Sequence, residues 1–268
     1  TMISLAQKID MFKPTVEAVV NGNPKSLLLV EFAEEEMDEN HRRLKKLHQL
    51  MSDLGYSWNN SKKNGGVIDV IDDNLQSKVS EMRKSGLNIM MSMKDDAKPV
   101  SFIEDCAVEL KDLAEYTNGL NKIFDKYNVK GTWYAHASVG CLHVRPVLNM
   151  KIQDDVEKMR NIANETSSLV KKFNGSYSGE HGDGIARSEF NEVMFGKKMI
   201  NIFKIIKNSF DPFNIFNPGK IVDAPKLDSR NLFRYAPSYN AQNINTILDW
   251  SSWTGASGGF QGAIEMCN

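Results

Sequence analysis

The sequence predicts an α+β fold, a mostly antiparallel sheet covered by helices. Three observations predict it: short alternating strands closed by a tight turn, long segments with apolar residues at helical spacing, and short turn-rich connections between them. The first element is a buried strand, the run Leu27-Leu28-Leu29-Val30-Glu31-Phe32. Residues 34–54 follow as a helix, with Met37, Leu44, Leu47, Leu50, Met51 and Leu54 at helical spacing and Gly55 as its stop. Residues 59–66 form a polar loop, 66–71 a short strand and 73–84 a short helix. Asp105 caps a helix running to about Tyr127, striped by Val108, Leu113, Tyr116, Leu120 and Phe124. Strands 132–136 and 141–148 come next.

Asp154 opens a further helix, apolar at Val156, Met159, Ala163, Val170 and Phe173, which Asn174-Gly175 ends. Ser188 caps the last long helix, through Phe190, Met194, Phe203 and Ile206. Asp211-Pro212 and Asn217-Pro218-Gly219 then punctuate the chain. From about Pro225 the pattern gives way to Ser, Asn, Gly and Ala with isolated aromatics. The expected organisation is therefore a domain over residues 1–225 and a loosely packed linker over 226–268.

Composition sets outer limits. The 268 residues are 41% hydrophobic and 25% charged, an ordinary globular balance. A net charge of −1 leaves no electrostatic footprint for nucleic acid. No apolar run approaches the roughly 18 residues of a membrane span, so a soluble cytoplasmic protein is expected, or one peripheral at the inner face of the membrane in its parent form. Cys106, Cys141 and Cys267 form no C-x-x-C pair. There is no Rossmann G-x-G-x-x-G and no P-loop.

Two clusters carry the chemistry. In the first strand Tyr134 and His136 alternate with Trp133 and Ala135; in the second Cys141, His143 and Arg145 alternate with Leu142 and Val144. A turn centred between Val139 and Gly140 would set His136 directly opposite His143, with Cβ atoms about 5 Å apart on one face. Two such imidazoles can share a metal ion, or can be a hydrogen-bonded pair on a half-buried sheet. The second cluster, Tyr177-Ser178-Gly179-Glu180-His181-Gly182-Asp183-Gly184, packs glycines around an acid and an imidazole. A plain polar turn would favour the Gly and Asp but gains nothing from Glu-His at its centre. Two histidines and a carboxylate make a common catalytic ligand set with positions open for substrate.

These residues carry a resemblance. The segment Tyr134-Ala135-His136-Ala137-Ser138-Val139-Gly140-Cys141-Leu142-His143-Val144-Arg145-Pro146 resembles the H-x6-H signature of the FAD-linked oxidase C-terminal domain. That family includes D-lactate dehydrogenases, the glycolate oxidase flavin subunit and D-2-hydroxyglutarate dehydrogenase, and its substrate domain is a ferredoxin-like cap. Ser178 to Gly184 matches its S-G-E-H-G-D-G signature, and Phe210-Asp211-Pro212 and Asn217-Pro218-Gly219-Lys220-Ile221 resemble its closing segment. Many members carry G-D-G-N before the second histidine and an asparagine two residues after it. Here Ser138-Val139-Gly140-Cys141 and Arg145 stand at those places, which is similar to the branch that fuses FAD, substrate and iron–sulfur domains.

The resemblance implies that His136, His143 and Glu180 bind a divalent metal, zinc or manganese, and that His181 is the general base. Arg83, Lys98 and Arg145 would hold substrate carboxylates, although solvated surface cations compete as a reading of Arg83 and Lys98. The implied reaction is oxidation of a D-2-hydroxy acid (D-lactate, glycolate or D-2-hydroxyglutarate) to the 2-oxo acid, with a slight tilt to a dicarboxylate. FAD would be bound mainly by an N-terminal flavin domain outside this chain, leaving the fragment inactive alone. Cys267 would be the first ligand of an iron–sulfur cluster in a following domain, or an ordinary free cysteine. Two rivals stand beside this reading: a self-contained metal-dependent hydrolase using Glu180 or His181, and a non-catalytic binding module of the same fold.

Overall fold

The computed structural model describes residues 2–58, 65–93, 95–237, 239, 244–255 and 258–266. The chain divides into two compact units, Thr1–Ile89 and Met90–Asn268.

The first unit contains helices α1 (Met2–Ala6), α2 (Lys13–Val19), α3 (Met37–Asp53) and α4 (Asp73–Lys84), and α5 (Gly86–Met91) begins in it. Pro14 sits in the first turn of α2, where its missing N–H costs no helical hydrogen bond. Asp72 caps α4, accepting the N–H of Leu75 at 2.8 Å. Ala6, Phe12, Val16, Met82 and Ile89 form the core of this unit.

Neither strand expected here forms. Among the described residues, 27–32 and 66–71 take part in no ladder, and Leu28 is 72% exposed. Apolar composition favours extended backbone, but a strand also needs a neighbour to take its N–H and C=O groups. Helix α3 forms as expected yet buries none of its residues.

The second unit is built on one long strand. Strands β1 (Lys98–Pro99), β2 (Cys106–Ala107), β3 (Gly131–His136) and β4 (Cys141–Leu148) make a small antiparallel sheet in which β4 pairs with all three others. Strand β3 runs along one edge of β4; β1 meets Val147 and Leu148 at one end of the other edge, and β2 meets Cys141 and Leu142 at the other end. Between β1 and β2 the chain leaves that edge and returns at Asp105, whose N–H donates to Leu142 O at 2.9 Å.

Helices α6 (Leu113–Lys126) and α7 (Gln153–Lys172) cover one face of the sheet. Leu142, Val144 and Leu148 pack there against Tyr116, Leu120, Phe124, Val156, Met159 and Ile162. The alternation of β4 sends Cys141, His143 and Arg145 to the other face. Helices α8 (Gly184–Ser188), α9 (Asn191–Phe210) and α10 (Gly259–Met266) follow. No helix among the described residues is long and apolar enough to cross a membrane.

Three local expectations are corrected. Asp105 caps no helix: α6 starts at Leu113, after a 3-10 turn over Leu110–Asp112, and Val108 lies outside it. Ser188 does not cap α9; its hydroxyl oxygen accepts the N–H of Ile221 at 2.8 Å. Helix α9 is broken at Gly196, with φ 80° and ψ 160°, so its expected stripe turns from buried Phe190 to exposed Ile206. Described residues after Pro225 make contacts within the second unit. Leu227 is buried in the core, Phe233 packs beside it, and Tyr239 donates to Glu265 at 2.9 Å, itself paired with Lys151.

Candidate active site

The hairpin that carries the two histidines turns differently from the simplest expectation. Ala137–Val139 form a 3-10 turn and Gly140 closes it at φ 69°. A Cβ on Gly140 would lie 1.9 Å from Val108 O, so this corner is open only to glycine. The register sets Tyr134 opposite His143 and His136 opposite Cys141. His136 and His143 are therefore diagonal neighbours, not a directly opposed pair. Because the displacement is an even number of residues, both side chains stay on one face. Their ring centroids are 5.1 Å apart.

The second cluster comes to this face along the edge of β2. Ser176 bridges Ala107, and Gly179 lies so close that a Cβ there would meet Asp105 O at 3.0 Å and Cys141 Sγ at 3.2 Å. Asp105 anchors the loop. It is fully buried at φ 92°, and its carboxylate accepts the N–H of Glu180 (3.0 Å), the N–H of His181 (2.8 Å) and the hydroxyl of Ser178 (3.1 Å). Three donors on one buried carboxylate fix the path of the backbone and so aim the next two side chains.

The result is a convergence on one atom. Glu180 Oε1 lies 3.0 Å from His143 Nε2, 3.5 Å from His136 Nε2 and 3.6 Å from His181 Nε2. The His143 and His181 rings stack at 4.9 Å, and Glu104 lies at their Nδ1 edges: its Oε1 is 3.2 Å from His181 Nδ1 and its Oε2 3.9 Å from His143 Nδ1. Arg145 Nη2 donates to Glu104 Oε2 at 3.1 Å; Arg187 Nη1 donates to Oε1 at 3.3 Å and to the Glu104 carbonyl at 2.9 Å. Arg187 Nε also donates to Gly182 O at 3.0 Å, which ties the glycine loop down from its far side.

Charge follows from these contacts. Burial alone would raise the Glu104 carboxyl, but hydrogen bonds from Ser101, His181 and Arg145 outweigh it and hold the group down at about 2. Burial, and then the neighbouring His181, push His143 below the ordinary imidazole range, favouring a neutral ring able to donate its lone pair. Burial raises Cys141 to about 11, helped by Asp105 and Glu180.

A family model described as FAD linked oxidases, C-terminal domain, matches residues 3–221. The chain belongs to that family. The FAD-linked oxidase domain is also 31% identical over 209 residues to a D-2-hydroxyglutarate dehydrogenase of Pantoea ananatis, covering 77% of this chain and 20% of that protein. It is 29% identical over 143 residues to the glycolate oxidase subunit GlcD of Bacillus subtilis, covering 53% and 30%. Over 125 residues it is 31% identical to a D-lactate dehydrogenase of Archaeoglobus fulgidus, covering 47% and 27%. The domain thus spans at most a fifth of the length of the D-2-hydroxyglutarate dehydrogenases it matches first.

The oxidase domain brings His136, His143, Glu180, His181 and Arg145 together, and their donor set could hold a divalent cation: imidazole and carboxylate oxygen suit zinc or manganese. Among the described residues, two groupings with all donor atoms within 4.8 Å share His143: Asp105, Cys141, His143 and Glu180, and Glu104, His143 and His181. Lys98 is not among them. It pairs with Leu148, five residues from His143 along β4 and so about 17 Å away, and it donates to Met93 O. Arg83 is exposed in the last turn of α4, in the first unit. Cys267 lies outside the described residues.

Glu104, Asp105 and Arg187 were not legible as site residues. One signal was present: two adjacent acids between Phe102-Ile103 and Cys106, all buried, require partners that the sequence does not name.

Proposed function

We propose that this domain binds a D-2-hydroxy acid and prepares it for oxidation to the 2-oxo acid by FAD held mainly in another domain of the parent protein. The observation that carries the reading is the convergence of three imidazole Nε2 atoms on Glu180 Oε1, within 3.0 to 3.6 Å. His136, His143 and Glu180 would hold a divalent metal there. When bound, such an ion supplies Lewis acidity, which lowers the pKa of a ligated hydroxyl. His181 then takes the hydroxyl proton on Nε2, since its Nδ1 already faces Glu104. The redox chemistry is the flavin's; this chain binds, orients and deprotonates.

Arg145 fits a role toward substrate carboxylate. One guanidinium nitrogen holds Glu104, and its Nε is buried with no hydrogen-bond partner, leaving a donor for an anionic group. A dicarboxylate such as D-2-hydroxyglutarate would use it best. Lys98, set apart along β4, is a weaker member of the proposed substrate set; Arg83 stays in that set as the resemblance implies.

The test is anaerobic mixing of the full-length flavoprotein with D-2-hydroxyglutarate, D-lactate or glycolate, following flavin absorbance. Bleaching by a D-2-hydroxy acid and not by the L-enantiomer is expected. Absence of bleaching with all three substrates would remove the proposal, and activity without any flavin domain would favour a metal-dependent hydrolase.

A further inference from the structure

The buried carboxylate of Glu104 has a surplus of donors and stands outside the His136, His143 and Glu180 set proposed above to hold the metal. Two guanidinium groups reach it, from β4 (Arg145 Nη2, 3.1 Å) and from α8 (Arg187 Nη1, 3.3 Å), and neither can lose its proton. An ionised carboxylate has only lone pairs to offer. The one imidazole within hydrogen-bond distance of it is His181, whose Nδ1 is 3.2 Å from Oε1. If that nitrogen carried a lone pair, it would face a buried anion with no proton between them. We infer that Glu104 is a positioning residue that fixes the tautomer of His181, holding the proton on Nδ1 and turning the bare Nε2 toward the centre of the site.

The backbone makes the same assignment mechanically rigid. Asp105, the next residue, accepts the N–H of His181 at 2.8 Å, so adjacent acids grip the backbone and the ring of one histidine. Stacking on His143 at 4.9 Å, with 19° between the ring planes, restricts rotation of the ring about its Cβ–Cγ bond, which would carry Nδ1 away from Glu104. Glu104 itself is brought here because the chain between β1 and β2 leaves the edge of β4 beside Arg145 and His143. The arrangement resembles in its logic any carboxylate–imidazole pair: the outer partner decides which nitrogen is available to the chemistry.

This assignment deepens the proposed role of His181 and takes that site as its setting, but the proton placement can be read without turnover. Long-range 15N–1H correlation spectra of the chain labelled at its five histidines, recorded at alkaline pH, report each ring's tautomer. The His181 signals are identified by their absence from His181→Gln. The expected result is His181 protonated at Nδ1 in the wild type, and loss of that preference in Glu104→Gln, whose amide can offer either a donor or an acceptor. Protonation at Nε2 in the wild type overturns the inference even if the variant fails to fold, and so does an unchanged preference in a folded Glu104→Gln. Failure of the functional reading shows elsewhere: full turnover by His181→Ala in the full-length enzyme would leave the tautomer intact and remove its purpose.

Discussion

The carboxylate of Asp105 accepts the backbone N–H of His181 at 2.8 Å while Asp105 itself is fully buried and holds a left-handed φ of 92°. A non-glycine residue keeps such a conformation only where its surroundings over-determine it. Here three donors and the return of the chain to Leu142 do so. Asp105→Ala leaves the N–H groups of Glu180 and His181 and the Ser178 hydroxyl without their acceptor. A loss of roughly 3 kcal/mol or more in urea unfolding is expected, with the glycine loop disordered first. A variant within 0.5 kcal/mol of wild type would show that Asp105 does not anchor the loop.

Gly140 and Gly182 offer a matched pair. Both have positive φ, 69° and 79°, but a Cβ on Gly140 meets Val108 O at 1.9 Å whereas one on Gly182 meets nothing within 4 Å. Gly182→Ala should cost about 1–2 kcal/mol, the conformational term alone. Gly140→Ala must also displace backbone, so a midpoint well below that of Gly182→Ala is expected in thermal denaturation. Equal midpoints would mean that the corner between β2 and the hairpin is looser than its geometry.

Much of this was legible in the sequence because the alternation of Tyr134, His136, Cys141, His143 and Arg145 is a property of pleated backbone, which survives a change of turn. The turn itself was not legible. A two-residue loop and a 3-10 turn ending in left-handed Gly140 both suit Ala-Ser-Val-Gly, and the choice rests on Val108 O, a contact 32 residues away. Asp105 misled for a related reason: an acid ahead of an apolar stripe suits an N-cap, and only the tertiary fold gives it the N–H groups of a distant loop instead. The strand expected over residues 27–32 had the composition but, among the described residues, no pairing strand, which composition cannot supply.

Acid should find Glu104. Its folded carboxyl is held at about 2 against an ordinary 4.5. A depressed folded value gives stability that is fully present above about pH 4.5 and is lost as pH falls toward 2. Glu104→Gln removes the group that must be protonated, so its stability should change less steeply with pH across that window. Urea midpoints of the two proteins between pH 2 and 4.5 make the comparison, and parallel slopes would count against the depressed carboxyl.

Metal affinity should depend on both clusters. His143→Ala and Glu180→Ala each remove a donor from the 3.0 Å contact at the centre of the site, and each is expected to weaken zinc or manganese binding at least 10–100-fold in calorimetric titration. Lys98→Ala, remote along β4, should leave affinity unchanged. Binding by His143→Ala equal to wild type would remove His143 from the ligand set.

The most direct test separates Glu180 from His181, neighbours in one glycine-rich loop to which the account gives different tasks. In the full-length enzyme, steady-state turnover and metal content are measured together for His181→Ala and Glu180→Ala. The expected result is a kcat lowered about 10²–10⁴-fold in His181→Ala with its metal retained, the scale for losing a general base, and joint loss of metal and turnover in Glu180→Ala. A His181→Ala enzyme that loses its metal, or that turns over at the wild-type rate, would contradict the account.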